Sequence, residues 1–178
     1  MGEIIIINTG ILQDKLEIYS IDPSGNWTLE METTYKTSVF DKITGLFHRK
    51  PCINDALTNY AINDIAQHIS GKYGYASVGT SDTDPTDYSR NSLVSPVMNR
   101  FTTTNALVNT YGSDPLLPDT AQFTVIVTSD GDYDLIEFGL HTTVTDGYMG
   151  ARQVGNAAWT VSNNETFGLI WKVISGRG

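Results

Sequence analysis

The chain has 178 residues, with 20 acids, 11 bases and a formal net charge of −9. Apolar residues make up 40% and charged residues only 17%, low against a usual ~25%, while Thr (22), Ser (13), Asn (12) and Gly (16) are abundant. This excludes a coiled coil, a bundle of long helices and a charged disordered tail, and the length suits one domain with a real core.

The acidity also disfavours a nucleic-acid partner, because phosphate binding needs clustered Lys and Arg. The only locally basic stretch, Phe47-His48-Arg49-Lys50, is too short for a patch. One cysteine, Cys52, permits neither an internal disulfide nor a Cys-based metal cluster. The apolar run Ile4-Ile5-Ile6-Ile7 is shorter than a signal-peptide core or a membrane span. Ile6 also stands where myristoylation wants Ser or Thr. The expectation is a soluble chain made in a cytoplasm, with no membrane partner.

In chain order, residues 3–8 read as a strand, since four β-branched residues in a row suit a strand covered on both faces. Residues 15–21 and 26–35 read as two strands around the turn Asp22-Pro23-Ser24-Gly25-Asn26. In the second, Trp27, Leu29 and Met31 alternate with Thr28, Glu30 and Glu32, which predicts one half-buried face. Residues 54–70 give the clear helix, with Asn54 or Asp55 as its cap. Leu57, Ala61, Ile65 and Ile69 form its stripe, widened by Tyr60, Ile62 and Ala66. Gly71 sits where a left-handed C-terminal residue belongs.

Strands follow at 73–80 and 96–105, then at 121–128, 133–140, 148–154, 157–162 and 166–175, with turns at Asp130-Gly131, Asp146-Gly147 and Asn163-Asn164. Residues 109–119, with Gly112, Pro115 and Pro118, read as a loop. Many short strands with regular turns predict a mainly β protein, an antiparallel sandwich with one amphipathic helix around residues 54–70. Two segments are expected within one compact unit: N-terminal strands at 1–53, forming an arm or extra sheet, and a sandwich at 54–178.

Signals for chemistry are sparse. His48, His68 and His141 match no zinc or triad spacing, and neither a phosphate loop nor a nucleophile elbow occurs. Asp130, Asp132 and Asp134 alternate like the first ligands of a calcium loop, but Leu135 and His141 occupy the places of its glycine and its glutamate. Asp130-Gly131 reads better as a hairpin turn. Asp82, Asp84 and Asp87 are interrupted by Pro85. The reading therefore includes no catalytic residue, no metal ligand and no cofactor.

The blocks from 54 to 175 resemble a family of small tailed-phage virion proteins with a jelly-roll-like fold, described as head decoration, neck or tail-fibre-associated components. Thr58-Asn59-Tyr60-Ala61-Ile62-Asn63-Asp64-Ile65-Ala66 is similar to the family's Thr-Asn-x-Gly-Leu-x-x-Ile-Ala helix, with Ala61 in place of Gly. Tyr75-Ala76-Ser77-Val78-Gly79-Thr80, followed by Pro85 and Leu93, is similar to its strand ending in Gly-Thr before a Pro-containing loop. Leu135-Ile136-Glu137-Phe138-Gly139-Leu140 resembles Ile-x-Glu-x-Gly-Leu-Phe, with His141 replacing Phe. Met149-Gly150-Ala151-Arg152-Gln153-Val154 resembles Leu-Leu-Ala-Arg-x-Val, and Glu165–Val173 resembles the final strand with its Trp171.

The resemblance implies a non-enzymatic virion structural protein, with head decoration preferred, a neck or tail fibre-anchoring role second, and a receptor- or carbohydrate-binding module third. It implies closed homo-oligomers, a trimer for a decoration site, and partners such as the major capsid protein. Ile4, Ile5, Ile6 and Ile7 are the candidate interface residues: the strand adds to a neighbour's sheet edge, or else completes this chain's own sandwich. Glu137 and Arg152 form a buried pair that fixes register, or else stand as two solvated side chains. Gly139 allows a close approach or a bulge, and Trp171 packs into the core.

Overall fold

In a computed structural model the chain is described at residues 10–38, 59–83, 91–110 and 117–177. The described residues are mainly β: two antiparallel sheets and one helix. The strands are β1 (Gly10–Ile21), β2 (Trp27–Ser38), β3 (Tyr75–Gly79), β4 (Phe101–Thr102), β5 (Thr104–Val108), β6 (Thr120–Thr128), β7 (Tyr133–His141), β8 (Met149–Val161) and β9 (Thr166–Arg177), and α1 is Asn59–Lys72. One sheet runs β2-β1-β9-β6-β5 and the other β4-β3-β7-β8. The strand expected at 3–8, with Ile4–Ile7, lies outside the described residues, as do residues 54–58 at the expected helix start.

β1 and β2 are a hairpin whose turn is tied by one carboxylate. Asp22 Oδ1 accepts from the Ser24 and Asn26 amides, and Oδ2 accepts from Asn26 Nδ2. Gly25, at φ 84°, supplies the left-handed residue. β1 also pairs along its length with β9, with Leu16 opposite Trp171 and Ile18 opposite Leu169.

Strands β6, β7, β8 and β9 form one folded ribbon. β6 pairs with β9 and β7 with β8, while the 129–132 and 162–165 links carry both strands from one sheet to the other. Register passes unbroken through this corner, with Thr128 opposite Thr166 and Tyr133 opposite Val161. The Asp130-Gly131 hairpin expectation is therefore corrected: this turn joins strands of different sheets. Ser129 N–H donates to the Glu165 carbonyl at 2.8 Å and Asn164 N–H to the Ser129 carbonyl at 2.9 Å, locking the two links together. Asn164 takes φ 65°, a conformation Asn tolerates well.

Two expected strands, 148–154 and 157–162, are one strand, β8. The break survives as a bulge, because Leu135 faces Trp159 while Glu137 faces Val154. The strand expected over 96–105 becomes the short β4 and β5, in different sheets.

The inner faces meet in a core that includes Phe123, Phe167 and Trp171 from the larger sheet and Leu135, Phe138 and Leu140 from the smaller. Trp159 and Phe167 meet edge-on at 5.2 Å, the geometry ring quadrupoles favour. Helix α1 packs against β5, β6 and β9. Its buried stripe is Ile62, Ala66 and the partly buried Ile69, while Tyr60 and Ile65 face solvent. The sequence stripe is thus rotated toward Ile62. Gly71 lies inside the helix without a positive φ, so it is not the left-handed cap expected. The helix end is held instead by Asn105 Nδ2, which donates to the Ser70 and Tyr73 carbonyls, each at 2.7 Å.

Candidate functional site

Strand alternation places Glu137, Gly139 and His141 of β7 on the outer face of the smaller sheet, with Ser77 and Gly79 opposite on β3 and Arg152 opposite Gly139 on β8. A strap, residues 91–97, covers this polar row. It is pinned by Thr80 N–H to the Ser95 carbonyl, by Val97 N–H to the Val78 carbonyl, and by a bridge between Gly79 and Pro96. Leu93 is the strap's buried side chain.

Beneath the strap, Glu137 accepts from Val94 N–H at 2.7 Å and Ser95 N–H at 3.1 Å. Arg152 Nε donates to Glu137 Oε1 at 2.7 Å, with the two side chains 5% and 0% exposed. Arg152 also donates to the Thr83 carbonyl at 3.0 Å. The structure therefore makes Glu137 and Arg152 a buried pair, the first of the two readings above. Taking both charges out of water is costly, and the two amides and the guanidinium together compensate the carboxylate.

Gly79 and Gly139 make room for this arrangement. A Cβ on Gly79 would stand 2.6 Å from the Ser95 carbonyl oxygen and 2.7 Å from Glu137 Oε2. One on Gly139 would stand 2.8 Å from His141 Nε2, Leu93 Cδ2 and Ser77 Oγ. Gly139 thus serves close approach rather than a bulge: its ladder partners are in step, and the register breaks fall on either side of it.

His141 and Ser77 were not singled out as a pair by sequence. They meet at 2.7 Å through Nε2 and Oγ, both buried. Burial, reinforced by the nearby Arg100 charge, pushes the imidazole down from 6.5 to about 4, so it is neutral near pH 7. Hydrolytic Ser–His chemistry needs an open serine and an acid orienting the far ring nitrogen. Here the serine is covered, His141 Nδ1 has no hydrogen-bond partner, and Glu137, on the same strand face, is committed to Arg152 and the strap. The available signal was the period-two run 137, 139, 141, which places a histidine beside a glutamate on one strand face.

The other candidates fall elsewhere. Asp130, Asp132 and Asp134 are separately engaged, by Tyr133 OH, Asn163 N–H and Thr160 Oγ1. Among the described residues no group of His, Cys, Asp and Glu could hold a metal ion. His68 is exposed on α1, and Trp171 packs in the core with its Nε1 unpartnered. No described helix is long and apolar enough to cross a membrane.

A second surface lies on the outer face of the larger sheet. A bulge at Glu30, between the pairs Ile18–Met31 and Tyr19–Leu29, turns Met31 toward the core and leaves Trp27 and Leu29 outward. The expected shared face of Trp27, Leu29 and Met31 is corrected accordingly. Trp27 is 39%, Leu29 48% and Ile126 58% exposed. Trp27 packs over Gly168, where a Cβ would come within 2.5 Å of the indole, and meets Tyr19 edge-on at 5.5 Å.

Comparison with family models, with curated proteins and with solved structures finds no match to this chain.

Proposed function

We propose that this chain is a non-enzymatic structural component of a tailed-phage virion, placed on the outside of the head as a decoration protein. One observation carries the reading. The residues on which the family resemblance rests converge in space: Gly79 of the Gly-Thr block, Glu137 and Gly139 of the Glu-x-Gly-Leu block, and Arg152 of the Ala-Arg block form one buried layer. Motifs that meet as an internal lock describe a rigid scaffold, which is what a shell component requires.

The partners that follow are copies of this chain, as a trimer, and other virion proteins such as the major capsid protein. Nucleic acid, membranes and cofactors play no part, and the protein resides in the virion after synthesis in the host cytoplasm. A neck or tail position anchoring fibres uses the same scaffold at lower copy number. Cryo-EM of the particle decides: hundreds of copies on the head support decoration, roughly a dozen or fewer at the neck support the tail reading, and absence from the particle overturns both. Ile4–Ile7 are proposed to add to a neighbour's sheet edge. Removing residues 1–9 tests this, and oligomers that persist unchanged sink it.

A receptor- or carbohydrate-binding module is favoured by the exposed Trp27, seated on Gly168 and braced by Tyr19, since sugar C–H faces stack on such rings. Glycan-array binding that is lost in Trp27→Ala supports it.

A further inference from the structure

The strap over the smaller sheet rests on a charged clasp and a neutral one. At the first, every donor is matched: Glu137 takes the Val94 and Ser95 amides and Arg152 Nε. At the second, Leu93 and the His141 imidazole rest on the same glycine, since one Cβ on Gly139 would touch both. Nε2 is satisfied by Ser77, and Nδ1 is buried with no hydrogen-bond partner. In a neutral ring that nitrogen can be a bare lone pair, the cheaper kind of orphan. In an imidazolium it becomes a buried N–H with a positive charge and no acceptor.

The surrounding groups offer no relief. Arg100, following the strap, is a cation whose Nη1 donates to the Thr143 and Asp146 carbonyls. Arg152 on β8 is a second cation. Glu137 on β7 is already committed, Tyr75 opposite on β3 is a phenol, and Asp146 is exposed in the β7–β8 loop.

We propose that the 91–97 strap is an acid-released latch keyed by His141, in which a proton on Nδ1 is accommodated only when Leu93 and the strap lift and water reaches the ring. This goes beyond the virion assignment and does not rest on it. The closed strap depresses the imidazole from 6.5 to about 4, so by linkage protonation disfavours the closed strap. Above pH 6.5 both states are neutral and closure is unopposed. As pH falls from 6.5 to 4 the open state alone takes up the proton, and the opening equilibrium rises by roughly two orders of magnitude.

Amide exchange of the full chain by NMR, corrected for intrinsic rates, tests this at pH 7 and pH 4.5. Protection of Val94, Ser95 and Val97 is expected to fall tenfold or more, while the Leu169 and Trp171 amides of β9 hold theirs, and His141→Phe is expected to abolish the fall. Strap amides that keep their protection, or lose it only in step with β9, overturn the latch. So does an equal fall in His141→Phe. Should that variant fail to fold, the wild-type imidazole titration decides: a midpoint well below 6.5 supports the latch, and an ordinary midpoint overturns it.

Discussion

Glu137 and Arg152 form their 2.7 Å ion pair on a diagonal. In the ladder Arg152 stands opposite Gly139, and Glu137 opposite Val154. Across the other edge of β7, Glu137 faces Gly79, where a Cβ would stand 2.7 Å from Oε2. The pair therefore depends on a third residue that carries no charge.

Arg152→Met leaves the Glu137 carboxylate buried and short of one donor. Its expected cost is about 3–5 kcal/mol, read from urea unfolding at pH 7. Glu137→Gln combined with Arg152→Met should recover part of that loss, because no uncompensated charge remains and the amide oxygen still accepts from the strap. A double variant as unstable as the sum of the single ones would mean that the pair is not coupled.

Two glycine-to-alanine changes should act in opposite directions. Gly79→Ala drives a Cβ against the Ser95 carbonyl, a backbone group that cannot rotate away, and should cost roughly 1–3 kcal/mol. Gly71→Ala meets nothing within 4 Å, inside a helix, and should add about 1 kcal/mol. Thermal unfolding of the two variants against the parent checks both signs.

Gln153 is buried with neither amide atom partnered. Gln153→Met keeps the volume and removes the orphan donor and acceptor, so a gain of about 1–3 kcal/mol is expected. A loss of stability would show that the amide finds a partner when the protein assembles or binds water.

His141 also ties global stability to pH. Its folded-state value is depressed, from 6.5 to about 4, so its contribution is complete above pH 6.5 and is lost as pH falls through 6.5 toward 4, with no further loss below. The denaturant midpoint of the parent should drop over that window more steeply than that of His141→Phe. Parallel profiles would assign the acid sensitivity to other groups.

The sandwich and its helix were legible because period-two alternation and turn residues act locally. β6, β7 and β9 lie within a residue or two of their expected bounds. The Glu30 bulge was not, since nothing in Trp27-Thr28-Leu29-Glu30-Met31 distinguishes a continuous alternation from one that slips by a residue; the slip is visible only in the pairing with Ile18 and Tyr19. Asp130-Gly131 looked like a hairpin because local turn chemistry says nothing about which sheet the next strand joins. At the site, Glu137, Gly139 and Arg152 stood out by type and block. The strap and the Ser77–His141 contact did not, because residues 64 apart in sequence carry no local mark of meeting.

The pairing of β1 with β9 has a consequence for biosynthesis. Glu17 and Lys172, joined at 3.1 Å, lie 155 residues apart, and β9 is also the centre of its sheet. While the ribosome has yet to release β9, β1 and β6 lack the strand that lies between them, and the β1–β2 hairpin waits with an open edge. Closing so long a loop is slow. Such an edge is open to pairing with other nascent chains during that interval. Expression at low temperature, or with a chaperone that shields strand edges, should therefore raise the yield of folded protein more than any change that only strengthens the finished core.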